Sequence, residues 1–406
     1  MGIIVQKFGG TSVATPEARA LVTKKIQTAR EAHYSPVVVV SAMGRKGECY
    51  ATDTFMELAQ STYKDIASRE LDQILYCGEM ISAVLMAGTL QAAGFEAVML
   101  TGGQAGIITD NNFNNARILK IDGTRILNLV KKGIIPVICG FQGISIDYEL
   151  TTLGRGGSDT TAAALGAALD ADMIEIYTDV DGIMTADPRI VSNAKILDCI
   201  SYGEVCQLAH QGAKVIHPRA VEIAMQKSIP LVVKSTFSDA PGTLITNITP
   251  EDTKETDVSD RIATGVTYIN NIAQIKISLH DTNNNIASFN IFKSMSDNGI
   301  SVDLINVHPG QIMFTVAEDL AEKATTKLHE FGCDVQTTTG CAKVSVVGGG
   351  INGVPGVMTN FVEALAINNI PILQTVDSHT SISVLIKNAF IQPAVTALHE
   401  KFKLSC

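Results

Sequence analysis

The chain has no tryptophan, few charged residues (18%) and fewer basic than acidic side chains. The resulting formal net charge of -10 argues against nucleic-acid binding, because that function needs a clustered basic surface. No apolar run reaches the length of a membrane span, and the first residues lack the basic and apolar regions of a signal peptide. The eight cysteines include no C-x-x-C spacing, which is typical of free thiols in the cytosol. We therefore expect a cytoplasmic globular protein.

The length and the order of the apolar segments predict the fold. A chain of 406 residues allows two or three domains. From residue 1 to about 235 an apolar strand, a glycine-rich or acidic loop and a helix recur, which predicts an α/β fold with a mainly parallel sheet sandwiched by helices. Ligands bind at the carboxyl ends of such strands. The strands are predicted at 3–8, 36–41, 95–100, 134–139 and 173–177.

The most informative loop is T-T-L-G-R-G-G-S-D at 151–159, which runs into a small-residue segment with strong helix propensity. A loop that opens a helix exposes unpaired N–H groups and the positive end of the helix dipole, so it suits an anion. Arg155 can clamp a carboxylate or phosphate with two parallel hydrogen bonds. The loop is neither a P-loop nor a dinucleotide fingerprint. An ordinary left-handed turn with a serine cap is the alternative.

Two other side chains have both a functional and a structural interpretation. Glu79 lies in an apolar helical region predicted at about 68–93, where a buried carboxylate without a partner is costly. Its alternative is an outward-facing glutamate. His217 precedes a proline at a helix entry, so it is either a general base or a structural helix-entry residue.

The predicted order of strands and helices changes after the polar stretch 250–257, which we interpret as an interdomain linker. Short strands and helices then alternate in two rounds, each resembling a βαββαβ (ferredoxin-like) repeat. The second round lacks its fourth strand, whereas a spare strand at 263–269 precedes the first. The spare strand is therefore predicted to complete the second sheet, which nests the first repeat inside the second.

Four motifs, in this order and spacing, resemble those of the aspartate kinase family. The lysine-bearing first motif combined with the 151–159 loop is specific to that family, since related kinases of acetylglutamate, uridylate or carbamate lack this pair. The C-terminal repeats are similar to its paired ACT domains, with G-V-P-G-V at 353–357 as the second ACT turn. The motifs are K-F-G-G-T-S at 7–12, the 151–159 loop, T-D-V-D-G at 178–182 with D-P-R at 187–189, and G-A-K at 212–214.

The resemblance implies transfer of the γ-phosphoryl group of ATP to the β-carboxylate of L-aspartate. The product, 4-phospho-L-aspartate, would begin the lysine/diaminopimelate, threonine and methionine pathway under feedback control through the ACT domains. The implied division is an amino-acid kinase domain at 1–248, a linker at 249–262, a first ACT domain at 273–339 and a second formed by 263–272 with 340–406. The competing class is a non-catalytic amino-acid sensor, which predicts damage at the chemical positions; these are intact.

The resemblance also implies roles for individual residues. Lys7 would stabilise the transferring phosphoryl group and Asp159 would organise Lys7, the substrate ammonium or the metal-bound phosphates. Mg²⁺ would be carried on the phosphates, because no carboxylate cluster suggests a metal cage. The implied substrate-binding residues are Ser41, Thr52, Glu79, Phe141, Arg155, Gly156, Gly157 and Ser158. The implied nucleotide-binding residues are Lys7, Phe8, Gly9, Gly10, Ser12, Thr178, Asp179, Met184, Asp187, Arg189, Lys214 and Val215.

For regulation and assembly the expectations rest on the ACT pair. Exposed sheet edges and apolar helix faces usually pair with a second copy, so we expect a homodimer or a dimer of dimers. The stretch 373–381 is similar to diaminopimelate-sensitive aspartate kinases of spore-forming bacteria, and the alternative effectors are lysine, threonine and methionine. A second carboxylate needs an extra donor, for which His379 is a candidate; alternatively His379 only caps or packs a strand end. The candidate effector contacts are Asp281, Asn284, Asn298 and His379.

Overall fold

The computed structural model describes residues 2–213, 215–247, 262–278, 284–351 and 353–405, and for 284–287 the backbone alone. The predicted linker at 250–257 lies outside these residues. The chain divides into two compact units. The first comprises Met1–Ile183, Ile196–Ala209 and Lys214–Val258, and the second comprises Met184–Lys195, His210–Ala213 and Ser259–Cys406.

Strands and helices alternate along the first part of the chain. The strands are β1 (Gly2–Phe8), β2 (Tyr34–Val40), β3 (Ala97–Leu100), β4 (Ile107–Thr109), β5 (Ile118–Ile121), β6 (Ile135–Cys139), β7 (Gln142–Ser145), β8 (Leu150–Thr152), β9 (Met173–Thr178), β10 (Cys199–Ser201), β11 (Leu231–Ser235) and β12 (Thr243–Thr246). The helices are α1 (Gly10–Val13), α2 (Pro16–Glu31), α3 (Thr52–Thr62), α4 (Ser68–Ala92), α5 (Thr124–Lys131), α6 (Gly157–Leu169), α7 (Tyr202–His210) and α8 (Pro218–Gln226).

The main sheet of the first unit has eight strands in the order β10-β12-β11-β9-β1-β2-β6-β3. All neighbours are parallel except β11 and β12. In β2 the four consecutive valines 37–40 are 0% exposed, so both faces of the strand are covered, as expected for a helix-covered parallel sheet. The predicted fold class is confirmed.

A smaller sheet, in the order β5-β4-β7-β8, was not predicted. Its strands have only three or four residues, which is too short for an alternation of apolar and polar side chains to stand out. The hydroxyls of Thr109 and Thr151 lie 2.6 Å apart in its interior. The small sheet therefore fixes the beginning of the 151–159 loop.

Helix α4 is the core helix of the first unit. Its inner face packs into the buried cluster through Ala83, Met86 and Leu90. By length and composition alone it could cross a membrane, but half of the apolar window (50%) is buried inside the molecule. The core helix of a soluble protein passes the same test, so the apolar character of α4 is explained by this packing.

The second unit contains one six-stranded sheet in the order β14-β15-β13-β16-β18-β17. Its strands are β13 (Gly265–Ser278), β14 (Asp303–His308), β15 (Gln311–Ala317), β16 (Asp334–Val347), β17 (Gln374–Asp377) and β18 (Ser381–Lys387). Its helices are α9 (Asn284–Asp297), α10 (Ala321–Glu330), α11 (Val357–Ile367) and α12 (Ile391–Lys401).

The long strands β13 and β16 each join two segments that the sequence predicted as separate strands. They pair antiparallel along both halves, with a register irregularity between Ile269 and Gln274. Asn271 (φ 56°) and Gly340 (φ 67°) have left-handed backbones at these points, so each strand bends and continues instead of ending. The spare segment beginning at Gly265 pairs with the end of β16 at Val347, which is the pairing that the nested arrangement requires.

A short segment from the middle of the chain also belongs to the second unit. Ala186 and Val191 lie in the same buried cluster as Phe361. The N–H of Val266 donates to the carbonyl of Thr185 at 2.8 Å, so the attachment includes backbone hydrogen bonding. This segment, Met184–Lys195, lies inside the range predicted to be the kinase domain, whereas its packing places it with the C-terminal sheet.

Candidate functional site

An ion pair stands at the carboxyl edge of the main sheet. Lys7 lies next to the end of β1, and Asp159 lies in the first turn of α6. The Lys7 ammonium is 2.7 Å from Oδ1 of Asp159, and the two side chains are only 12% and 13% exposed. Low exposure weakens solvent screening, so the pair is a stronger local charge arrangement than a surface ion pair. The structure therefore brings together the two residues predicted to be catalytic.

The glycines of the 151–159 loop are required by packing. Gly156 has a left-handed backbone (φ 65°) at the start of α6, and a Cβ there would lie 2.2 Å from the Cβ of His217. A Cβ on Gly157 would lie 2.6 Å from the ring of Phe141. No side chain caps this helix start, so the serine-capped turn is wrong. His217 itself caps α8, because its Nδ1 accepts from the N–H of Arg219 at 3.3 Å; this contact favours the structural interpretation.

Backbone contacts hold the loops after three neighbouring strands together. The N–H of Gly9, after β1, donates to the carbonyl of Tyr177 in β9 at 3.1 Å. The carbonyl of Gly10 accepts from the N–H of Gly44, after β2, at 3.3 Å. A Cβ on Gly10 would approach the carbonyl oxygen of Ala42 to 2.5 Å, so only glycine fits this position.

Two residues of the first motif are occupied by internal packing. Phe8 is 0% exposed and stacks on the ring of Tyr177 with centroids 4.7 Å apart. The Ser12 hydroxyl is buried and lies 2.7 Å from the hydroxyl of Thr236. These side chains position the loop, and because the N–H of Gly9 is bonded to Tyr177, the N–H of Gly10 is the candidate to face a ligand.

Glu79 is a buried carboxylate on α4. It is 2% exposed, and its Oε1 accepts from the N–H of Ala42 at 3.1 Å. Among the described residues, Oε2 is buried without a hydrogen-bond partner. Burial raises the pKa of Glu79 to about 8 against the opposing effect of that hydrogen bond. A Cβ on Gly78 would lie 2.9 Å from the Cβ of Ala42, so the missing side chain lets α4 approach the loop after β2. The outward-facing alternative is wrong.

The other predicted substrate-binding residues lie on nearby loops. The N–H of Ser41 donates to the carbonyl at the end of β1 at 3.2 Å, and Thr52 is the first residue of α3. Phe141, with an unusual φ of 68°, lies between β6 and β7, directly before Gln142. Ser158 is 9% exposed. Arg155 is exposed, and the described part of the chain gives it no hydrogen bond or ion pair, so its guanidinium is available to an anion.

On the nucleotide side, two predicted residues lie at the end of β9. The hydroxyl of Thr178 donates to Oδ1 of Asp179 at 3.2 Å. The other carboxylate oxygen of Asp179 is 2.6 Å from Nη2 of Arg45, which the sequence did not single out. Val215 is half-buried and Lys214 lies outside the described residues.

Three further predicted nucleotide residues belong to the second unit. Met184 is half-buried there. Arg189 binds Asp187 through Nε and Nη2, at 3.0 and 2.7 Å from Oδ1 and Oδ2. The hydrogen bond from Arg189 lowers the pKa of the Asp187 carboxyl. These two side chains therefore bind each other in this structure.

Asp72 is an important residue that the sequence did not reveal. It is 0% exposed on α4 and accepts hydrogen bonds from the N–H of Asn114 at 3.1 Å and of Thr152 at 2.9 Å. The Thr152 hydroxyl donates to it at 2.6 Å. Burial raises the pKa of Asp72. Its partners are distant in sequence, so no local pattern could have identified it as the residue that holds the glycine loop to α4.

The effector candidates are distributed over the second unit. Asp281 lies outside the described residues, and of Asn284 only the backbone is described, at the start of α9. The side-chain amide of Asn298 donates to the carbonyl of Ser294 at 2.8 Å, after the end of α9. His379 is exposed in the connection between β17 and β18.

No group of three His, Cys, Asp or Glu side chains suited to a metal ion occurs among the described residues. The carboxylates of Asp159 and Asp179 are nevertheless present at the carboxyl edge, each beside a basic side chain. Mg²⁺ typically binds through one or two carboxylates together with substrate phosphates, so this donor set fits a magnesium ion that arrives on a nucleotide.

Comparison with known proteins gives matches over the whole chain. The amino acid kinase family profile matches residues 2–235, and an ACT domain profile matches residues 336–400. The chain is 48% identical over 405 residues to Aspartokinase 1 of Bacillus subtilis, with 100% of both sequences covered. Among solved structures it is similar to E. coli aspartokinase III in complex with aspartate and ADP, at a TM-score of 0.80, 25% identity and coverage of 98% and 99%. The lysine and aspartate complex of that enzyme gives a TM-score of 0.74 at 24% identity, with the same coverage.

Proposed function

Since the chain belongs to the aspartokinase family and is an ATP-dependent aspartate kinase, we propose that phosphoryl transfer takes place at the carboxyl edge of its first unit. The observation that carries this assignment is the preformed pair of Lys7 and Asp159, 2.7 Å apart beside the glycine loop. The sequence identity of 48% to an aspartokinase over the full chain argues against the alternative, a non-catalytic sensor.

In the proposed reaction, the β-carboxylate of aspartate attacks the γ-phosphoryl group of ATP. A carboxylate is already ionised at neutral pH, so the protein needs no general base. Phosphoryl transfer depends mainly on positioning and on neutralising spread-out negative charge. Lys7 supplies the positive charge, and the 2.7 Å contact with Asp159 holds its ammonium in place. The N–H of Gly10 and the loop after β9 that carries Asp179 would receive the nucleotide, with Mg²⁺ carried on its phosphates.

Aspartate would be recognised through its charged groups. The unpartnered Oε2 of Glu79 is a suitable acceptor for the substrate ammonium, because a buried carboxylate oxygen without a donor gains most from a charged one. Arg155 is exposed and would bind a substrate carboxylate. Ser41, Thr52 and Ser158 would add hydrogen bonds.

The test of the site assignment is ATP-dependent acyl-phosphate formation, trapped with hydroxylamine, with aspartate, glutamate and acetylglutamate as acceptors. We expect a product with aspartate and little with the other two. Wild-type enzyme that accepted acetylglutamate as well as aspartate would contradict the recognition of a free ammonium by Glu79.

We further propose that the second unit receives an amino-acid effector, with diaminopimelate as the first candidate. Feedback requires a ligand that binds one global state better than another. Support comes from the similarity of residues 373–381 to diaminopimelate-sensitive aspartate kinases and from the exposed position of His379. Inhibition by diaminopimelate, lysine, threonine and methionine at matched concentrations, in wild type and His379→Ala, tests this. Strong inhibition by lysine alone would overturn the choice of diaminopimelate.

The nested ACT arrangement is likewise a proposal: 273–339 as the first ACT domain, and 263–272 with 340–406 as the second. The pairing of Gly265 with Val347 supports the nesting. We propose a cytoplasmic homodimer, or a dimer of dimers, assembled through these domains and acting in lysine, threonine and methionine synthesis. Light scattering at micromolar concentration should give at least twice the 43.2 kDa chain mass, and a monomer would refute the assembly.

A further inference from the structure

Arg45 is a cation at the carboxyl edge for which the kinase assignment provides no role. It follows Gly44 in the loop after β2, and its Nη2 is 2.6 Å from Oδ2 of Asp179. The two side chains are 67% and 44% exposed. Such exposed pairs contribute little to stability, so this contact can be exchanged for another at low cost.

The strand order fixes the path of this side chain. In the main sheet β1 lies between β9 and β2. Arg45 starts beside Gly10, because the neighbouring Gly44 donates its N–H to the Gly10 carbonyl at 3.3 Å, and it ends at Asp179, directly after β9. The side chain of Arg45 therefore joins the loop beside Gly10 to the residue that follows β9.

We propose that Arg45 is a second phosphate-binding cation of the kinase site, which exchanges Asp179 for the β- and γ-phosphates of ATP. This inference rests on the proposed placement of the nucleotide at the Gly9–Gly10 turn. An arginine binds phosphate oxygens with two parallel hydrogen bonds, a geometry that a lysine does not offer. Lys7 and Arg45 would then both contact the phosphates.

The loop around Arg45 suits this exchange. Gly44 (φ 85°) and Gly47 (φ 93°) have backbones in the left-handed region, and a Cβ on Gly47 would meet nothing within 4 Å. The next residue, Lys46, has the same charge and is similarly exposed at 70%, but it contacts Glu57 of α3 at 3.0 Å. Lys46 is therefore a matched control in the same loop.

The experiment is isothermal titration of the full-length protein with ATP, ADP and AMP, using wild type, Arg45→Met, Arg45→Lys and Lys46→Met. Loss of a charge-assisted contact should weaken ATP binding to Arg45→Met by about tenfold or more. AMP lacks the β- and γ-phosphates, so its affinity should change by less than about twofold, the precision we assume for such comparisons. Arg45→Lys should be intermediate, and Lys46→Met should equal wild type.

Three results would overturn the inference: unchanged ATP affinity in Arg45→Met, an equal loss for AMP and ATP, or tighter ATP binding. The last would mean that the Arg45–Asp179 pair obstructs the site. Circular dichroism of each variant verifies the fold, which an exposed side chain should not affect. Wild-type protein that failed to bind ATP would instead refute the proposed nucleotide site, so the two failures are distinguishable.

Discussion

Glu79→Gln should make the protein more stable at alkaline pH while it destroys aspartate binding. The pKa of Glu79 rises from an ordinary value of 4.5 to about 8 because burial disfavours its charged form. Between these pH values the unfolded chain releases the proton while the folded chain keeps it. The folded state therefore loses stability as the pH rises through this window.

The size of the effect follows from the two pKa values. At 1.36 kcal/mol per pKa unit, the full difference is at most about 5 kcal/mol above pH 8. Glutamine cannot ionise, but its buried amide would retain an unpaired donor at a cost of about 1–3 kcal/mol. The net gain of about 2–4 kcal/mol should raise Tm by several degrees at pH 8.5. At pH 5, where Glu79 is protonated in the folded chain, the pH-dependent gain is small and the amide cost remains, so Glu79→Gln should be no more stable than wild type.

Differential scanning calorimetry across pH 5 to 8.5 gives the stability, and steady-state kinetics give the aspartate KM. The wild-type KM should fall as the pH rises toward 8, because the substrate ammonium needs the ionised carboxylate, whereas Glu79→Gln should bind aspartate weakly at every pH. Glu96→Gln, an exposed carboxylate after α4, is the matched control. A Glu79→Gln protein that is no more stable at pH 8.5, or that keeps the wild-type KM, would refute the argument.

Four other substitutions test the remaining parts of the site. Lys7→Ala and Asp159→Ala should each lower kcat by about a hundredfold or more with an unchanged circular dichroism spectrum, since one preorganised charge is lost; near-wild-type turnover in either would contradict their catalytic role. Gly10→Ala should lower Tm and kcat together, because its Cβ would lie 2.5 Å from the Ala42 carbonyl oxygen, and normal melting would show that the loops separate easily. Asp72→Ala should reduce the free energy of unfolding by about 3 kcal/mol, measured by urea titration, because the donors of Asn114 and Thr152 lose their acceptor. A loss below about 1 kcal/mol would mean that water replaces the carboxylate.

The sequence predicted the main sheet because its strands are continuous apolar runs that stop at glycine or polar loops. Lys7 and Asp159 could be placed at one edge for the same reason, since both lie beside such stops. Glu79 was recognisable as unusual from its apolar neighbours, although its burial had to come from the packing of Gly78 on Ala42. The local sequence was sufficient to predict the position of a residue where that position depends only on the strand or helix that carries it.

Features that depend on partners distant in sequence were not predictable. Asp72 resembles any polar residue on an amphipathic helix until Thr152, 80 positions away, is brought to it. Arg45 stands in an irregular loop, and its relation to Asp179 follows from the strand order alone. The continuity of β13 was missed because Asn270-Asn271 is a sequence typical of turns, whereas the strand continues through a left-handed Asn271.

The membership of Met184–Lys195 in the second unit limits how the chain can be recombined. A chain truncated near residue 250 would keep this segment but lose Phe361 and the rest of its buried cluster, leaving Ala186 and Val191 against water. Chimeras that exchange regulatory regions between relatives should therefore carry their own 184–195 together with the C-terminal sheet. Among natural sequences, residues of this segment should covary with residues of α11.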